Sequence, residues 1–221
     1  MNLLNDALLW LNDPLNWQGP KGVPHLTYEH LYISFFAVFF GALVAMPLAL
    51  WLGHTGRCGG FTVAITNVSR AIPTLALLTI FAATAIGFGN RATIVALAVF
   101  AIPPLLTNTY VGIREVDPDV VEAARGMGLT DRQVLTQVEL PLALPLVFAG
   151  IRIATIFVIA TATIAAIAGV GGLGEIIVNQ ASYRLEGVVA ASLWVSALAF
   201  AAAALLALAR RALSPVGARG G

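Results

Sequence analysis

Few residues in this chain could ligate a metal, act as a nucleophile or cradle a nucleotide, and their spacing argues against each of those chemistries. His25 and His30 precede the first apolar run and His54 follows it, so no two histidines stand at i, i+4 beside a glutamate as a metal pair requires. The lone cysteine, Cys58, excludes an internal disulfide and a cysteine-based metal site. No Gly-x-Ser-x-Gly elbow presents a serine nucleophile. Gly169-Val170-Gly171-Gly172-Leu173-Gly174 has the outward form of a dinucleotide fingerprint. That motif needs a preceding strand and a following helix in a soluble βαβ unit. Here the run closes an apolar helix, where Gly171 and Gly172 read as a tight turn or gate hinge.

The charged residues gather elsewhere. Nine of the chain's twenty-three charges lie between Gly112 and Pro141. Asp117-Pro118 supplies an N-cap followed by proline at the first helical position, where its missing N–H leaves no bond unmade. Gly126 and Gly128 are expected to end that helix, since glycine tolerates the left-handed conformation common there. Thr130 and Gln133 have the spacing of a capping box, opening a second helix that Pro141 is expected to terminate. The segment 112–141 therefore reads as a compact helical hairpin, although an ordinary amphipathic connector would satisfy the same capping signals.

The elements that must position this hairpin are apolar. The chain has 221 residues, 59% hydrophobic and 10% charged, with mean hydropathy +0.89, whereas soluble domains carry roughly 25% charged residues. It reads as an all-α, polytopic membrane protein. Five runs are long enough to cross: Leu31 to Leu52, Phe61 to Phe88, Ala92 to Val111, Leu144 to Val170 and Val188 to Ala209. Arg70 and Pro73 interrupt the second run, so residues 61–72 could lie along the interface before the crossing begins. Residues 1–30 lack the basic n-region of a cleaved leader and read as an extracytoplasmic or interfacial segment of the mature chain. Residues 31–209, the segment 112–141 included, read as the transmembrane bundle and 210–221 as a short cytoplasmic tail. With the hairpin inside, Arg57, Arg114, Arg125, Arg132, Arg210, Arg211 and Arg219 are cytoplasmic, against Lys21, Arg91 and Arg184 outside. That bias sets the N-terminus outside and the C-terminus inside. A net charge of +1 with no basic run argues against nucleic acid as a partner.

Polar residues within the runs are mostly Ser and Thr, which allow helices to approach closely. Some of them, Thr74, Thr161 and Thr163 among them, could instead face a pathway. Arg70 and Arg152 lie near the bilayer boundary, where a guanidinium needs water or a partner. Arg152 either snorkels to the interface or lines the pathway. Arg70, before Pro73 and Thr74, either steadies the broken end of the second run or shapes a gate.

Glu122-Ala123-Ala124, three residues, Gly128, nine residues, then Val138-Glu139-Leu140-Pro141 resembles the EAA loop of ABC importer permeases, with Val138 where isoleucine is usual. Ser69 to Leu78, Asn108-Thr109-Tyr110, Glu139 to Pro145, Ala149 to Arg152 and Gly169 to Gly174 extend the likeness from about Leu31 to Ala209. It is nearest to permeases importing glycine betaine, choline, carnitine and related quaternary amines. The resemblance implies a type I importer fold whose loop, through Glu122, Ala123, Ala124, Arg125, Gly126, Gly128, Leu140 and Pro141, docks on a cytoplasmic ATPase dimer. It further implies a second permease subunit, identical or paralogous, and a separate extracytoplasmic binding protein. No cofactor is expected in this chain, ATP and Mg²⁺ being held by the ATPase, and no catalysis.

Other readings are permeases for a different small solute, such as the amino acid methionine, and a gradient-driven secondary transporter. The latter places Asp, Glu or His at mid-membrane, and the five runs contain none of these.

Overall fold

Backbone groups in hydrocarbon have no water to bond, so apolar runs of this length close into helices. The computed structural model describes residues 2–57, 59–60, 64, 73–84, 86–87, 89–168 and 170–213, and among these the regular elements are all helical. In chain order they are α1 (Leu3–Asn12), α2 (Val23–Thr55), α3 (Thr74–Ala82), α4 (Asn90–Arg114), α5 (Pro118–Gly126), α6 (Asp131–Val134), α7 (Leu140–Ala162), α8 (Gly174–Val178) and α9 (Gln180–Leu213). Short 3-10 turns cover Pro14–Trp17 and Ile164–Ala168, and a π-helical segment, Leu135–Glu139, joins α6 to α7.

Four helical stretches among the described residues are long and apolar enough to cross a membrane: Val23–Thr55, Asn90–Arg114, Asp131–Ile167 and Gln180–Ala212. They match the first, third, fourth and fifth runs. Most of residues 61–72 of the second run, Arg70 included, lies outside the described residues. Its described remainder, α3, has 9 residues, under half of the roughly 20 a crossing needs.

Several boundaries differ from those expected, and the helix of the fifth run starts at Gln180 rather than Val188, with a break at Arg184, φ +59°. The first crossing helix starts at Val23 rather than Leu31. Pro24 occupies the first turn, where it is tolerated, and His25 and Glu29 lower the hydropathy there without breaking the helix. The fourth run ends its α-helix at Ala162 and finishes as the 3-10 turn.

The core lies where α2, α4 and α7 meet, with α2 packed chiefly on α4 and α4 on α7. Small residues set the spacing: Ala37, Ala45 and Ala49 of α2 are fully buried with Ala96 and Ala101 of α4 and Ala154 of α7. A Cβ on Gly41 would stand 2.8 Å from that of Ala101, and one on Gly150 2.8 Å from that of Asn108. Side chains there would force the helices apart. Large apolar groups such as Phe35, Leu43 and Phe200 face outward, as a bundle in lipid permits. Residues α1 and α8 pack on α9, and α3 rests on α4 and the Ile164–Ala168 turn.

Candidate functional site

The charged hairpin forms as its capping residues dictate. The Asp117 carboxylate accepts a 2.9 Å hydrogen bond from the Asp119 N–H, and Pro118 opens α5. At the other end the Leu129 N–H donates to the Ala124 carbonyl at 3.2 Å and the Gly128 N–H to that of Arg125 at 2.9 Å, a Schellman closure. Gly128 takes the left-handed conformation this requires, φ +88°. Gly126 does not share that role, because it is the last residue of α5 with no positive φ. The Gln133 side chain reaches back to the Thr130 N–H at 2.8 Å, completing the capping box. Arg125 and Asp131 approach within 3.7 Å across the turn, an exposed pair that contributes little.

Pro141 does not terminate the second helix. Helix α6 passes through Leu135–Glu139 into α7, and Pro141 sits in the first turn of α7. A proline ring collides with the carbonyl four residues back and offers no N–H to it. The wider π turn, in which the Leu140 N–H donates to the Leu135 carbonyl, absorbs both defects.

The π segment also delivers Glu139 inward. Glu139 is 4% exposed, and its Oε2 lies 2.6 Å from Nδ1 of His54 in the last turn of α2. Leu140 packs beside it against Ile113, Ala143 and Val147. The hairpin is thus tied to the C-terminal end of the first crossing helix. Between them opens a cavity of about 460 Å³ lined by Trp51, His54, Thr55, Arg57, Arg125 and Asp131.

On α5 itself only Ala124 is buried, turned into the hairpin. Glu122, Ala123, Arg125 and Gly126 face outward with Val120, 43% exposed, and Met127, 75% exposed. A Cβ on Gly126 would meet no atom of the chain within 4 Å.

At the opposite end of α2 a second tie forms. Gly172, φ +93°, donates its N–H to Glu29 Oε2 at 3.0 Å, and a side chain on Gly171 would collide with that carboxylate. His30 is buried and its Nε2 donates to the Ile159 carbonyl at 2.9 Å. His25 stands 3.5 Å from Glu29, and Lys21 2.9 Å from Glu175. That hydrogen bond first, and the Glu175 charge second, raise the exposed Lys21 ammonium above its ordinary pKa. The glycine turn thus clasps α2; Gly169 lies outside the described residues.

The remaining described pathway candidates sit on α3 and α7. Pro73 caps α3 and Thr74 begins it. Thr161 and Thr163 are half-buried at the end of α7, where Thr163 donates to the Ala160 carbonyl at 2.7 Å. Arg152 lies in a cleft between α7 and α9. Sequence reasoning missed Glu29, His30 and His54 as structural partners. The helix that crosses first carries both Glu29 and His30, so an absence of acids and histidines from the spans does not separate the transport mechanisms.

Comparison with known proteins supplies that separation. Residues 37–214 match the family of binding-protein-dependent transport system inner membrane components. The chain belongs to that family. This permease is 40% identical over 192 residues to the choline transport system permease protein OpuBB of Bacillus subtilis (strain 168), covering 86% of this chain and 88% of that one. It is 37% identical over 195 residues to the glycine betaine/carnitine/choline transport system permease protein OpuCB of the same organism, covering 88% and 89%. Among solved structures it resembles the inward-facing MetNI methionine ABC transporter, with TM-score 0.78 and 26% identity over 92% of this chain and 99% of that one. The permease is a multi-pass membrane protein with the type I ABC importer fold.

Proposed function

We propose that this permease is one of two paired transmembrane subunits of an ATP-driven importer for a quaternary amine such as choline, carnitine or glycine betaine. The observation that carries the motor half of this reading is the outer surface of α5. Val120 and Met127 are exposed there beside Ala123, and the missing side chain of Gly126 clears space that no atom of this chain enters. A flat, partly apolar face at a hairpin tip, rimmed by Glu122 and Arg125, fits a groove on another protein. An ATPase that grips it would push on Glu139 and His54, and through them on α2.

Relatives at 35–40% identity named for choline, carnitine and glycine betaine support the solute class. Two permease proteins of one Bacillus subtilis system, OpuCB and OpuCD, match at 37% and 35%, which favours pairing with a paralogue over pairing with itself. A separate extracytoplasmic binding protein would be a further partner, and the arginine bias supports a cytoplasmic hairpin. ATP and Mg²⁺ belong to the ATPase.

Mild-detergent purification from the source cell is expected to recover an ATP-binding chain and a second permease with this one. Cells lacking their own quaternary-amine uptake, supplied with the complete system, are expected to accumulate radiolabelled choline, carnitine or glycine betaine. Accumulation of methionine alone would replace the solute class. A lone homo-oligomer that transports on an ion gradient would overturn the motor assignment.

A further inference from the structure

We propose that the cleft between α7 and α9 binds the phosphate of an anionic phospholipid through Arg152 and Arg210. The cleft, about 80 Å³, is lined by Phe148, Ala149, Arg152, Leu206, Ala207 and Arg210. It is far smaller than the roughly 300–1,000 Å³ of a small-molecule pocket. Water occupies about 30 Å³ per molecule, so the space admits one compact oxyanion and no whole solute.

Position and charge point the same way. Gly150 faces α4 at Asn108 and Pro104. Two residues further along a helix is a turn of about 200°, so Arg152 faces away from α4, toward α9. Helix α9 is the least enclosed of the four long apolar helices, with 22% of its most apolar stretch buried. Arg210 stands in the last turn of α9. Neither guanidinium has an ion-pair or hydrogen-bond partner among the described residues. Two like charges in one cleft repel, and a guanidinium at membrane depth is costly without an anion or water. Phosphate oxygens match the planar donor fork of arginine. Phe148 and Leu206 make the cleft walls apolar, which suits a ligand that continues as acyl chains. Basic pockets between transmembrane helices near the cytoplasmic ends are where acidic headgroups bind.

The test is native mass spectrometry of the full chain in detergent supplied with phosphatidylglycerol or with phosphatidylcholine. Phosphatidylglycerol is expected to be retained in preference, each of Arg152→Gln and Arg210→Gln lowering its retention roughly fivefold. Arg152→Lys/Arg210→Lys keeps most of it. Equal retention of both lipids, or unchanged retention in the double Gln variant, overturns the site. Displacement of phosphatidylglycerol by millimolar inorganic phosphate assigns it to a free anion and overturns the lipid. A measurement on the unmutated chain covers variants that fail to insert: phenylglyoxal is expected to modify Arg152 and Arg210 more slowly in phosphatidylglycerol nanodiscs than in phosphatidylcholine nanodiscs. Equal rates overturn the proposal. Loss of solute uptake in Arg152→Gln with lipid retention intact gives Arg152 to the pathway instead.

Discussion

Glu139 is an acid at 4% exposure whose carboxylate sits 2.6 Å from the His54 imidazole, a pair that joins segments 85 positions apart. Removing one member strands the other, at a cost of roughly 1–3 kcal/mol. His54→Leu is therefore expected to destabilise the chain by about that amount, and His54→Leu/Glu139→Leu to recover part of it. A thermal-unfolding double-mutant cycle in detergent is expected to return a coupling of about 0.5–3 kcal/mol; none would show the contact to be idle. The two hairpin glycines differ in kind. Gly128→Ala places a Cβ on a φ of +88° and is expected to cost about 1–2 kcal/mol. Gly126→Ala meets nothing in the chain and is expected to change stability by no more than about 0.5 kcal/mol. Its effect belongs in the substrate-stimulated ATPase rate of the assembled transporter, which is expected to fall. A stable, fully stimulated Gly126→Ala transporter would remove α5 from the contact.

At the level of elements, the π turn before α7 depends on Pro141. Restoring an N–H with Pro141→Ala lets the helix pair i to i−4, and losing the extra π residue rotates α6 against α7 by about 100°. Glu139 then leaves His54. Circular dichroism is expected to show unchanged helix content while stimulated ATPase activity falls; unchanged activity would mean that other contacts hold the turn open. The hairpin was legible in the sequence because its signals are local: Asp117 with Pro118, Thr130 with Gln133, Gly128 after the helix. Pro141 reads as a stop because the rule against internal proline assumes an α turn on both sides. The pairing of Glu139 with His54, and of Glu29 with Gly172, carried no local signal, since both depend on how α2 lies against distant segments.

For the molecule as a whole, the two ties mark opposite ends of α2. Glu29 and His54 are separated by about 37 Å at 1.5 Å per helical residue, more than the roughly 30 Å of hydrocarbon. A crossing of that length would put the N-terminal segment and the hairpin on opposite sides of the bilayer. With Cys58 replaced, a cysteine at exposed Gln18 is expected to react with a membrane-impermeant maleimide in intact cells, and one at exposed Thr130 only after permeabilisation. The reverse pattern would invert the orientation and remove the hairpin from any cytoplasmic motor. Hydropathy made four crossings legible, while the eight residues before Leu31 were lost to it because Pro24, His25 and Glu29 dilute the window.

Helix α2 is held at Glu29 and His30 near one end and at His54 near the other, with Pro47 between them. The Leu43 carbonyl consequently lacks its usual backbone donor, which leaves the column softest at that point. A column pinned at both extremities and weakened near one of them behaves as a beam with a built-in pivot. Displacement applied at His54 either tilts the entire beam, disturbing the Gly171–Gly172 clasp, or is spent in flexure at Pro47. Which of the two occurs decides whether the far mouth feels the near one.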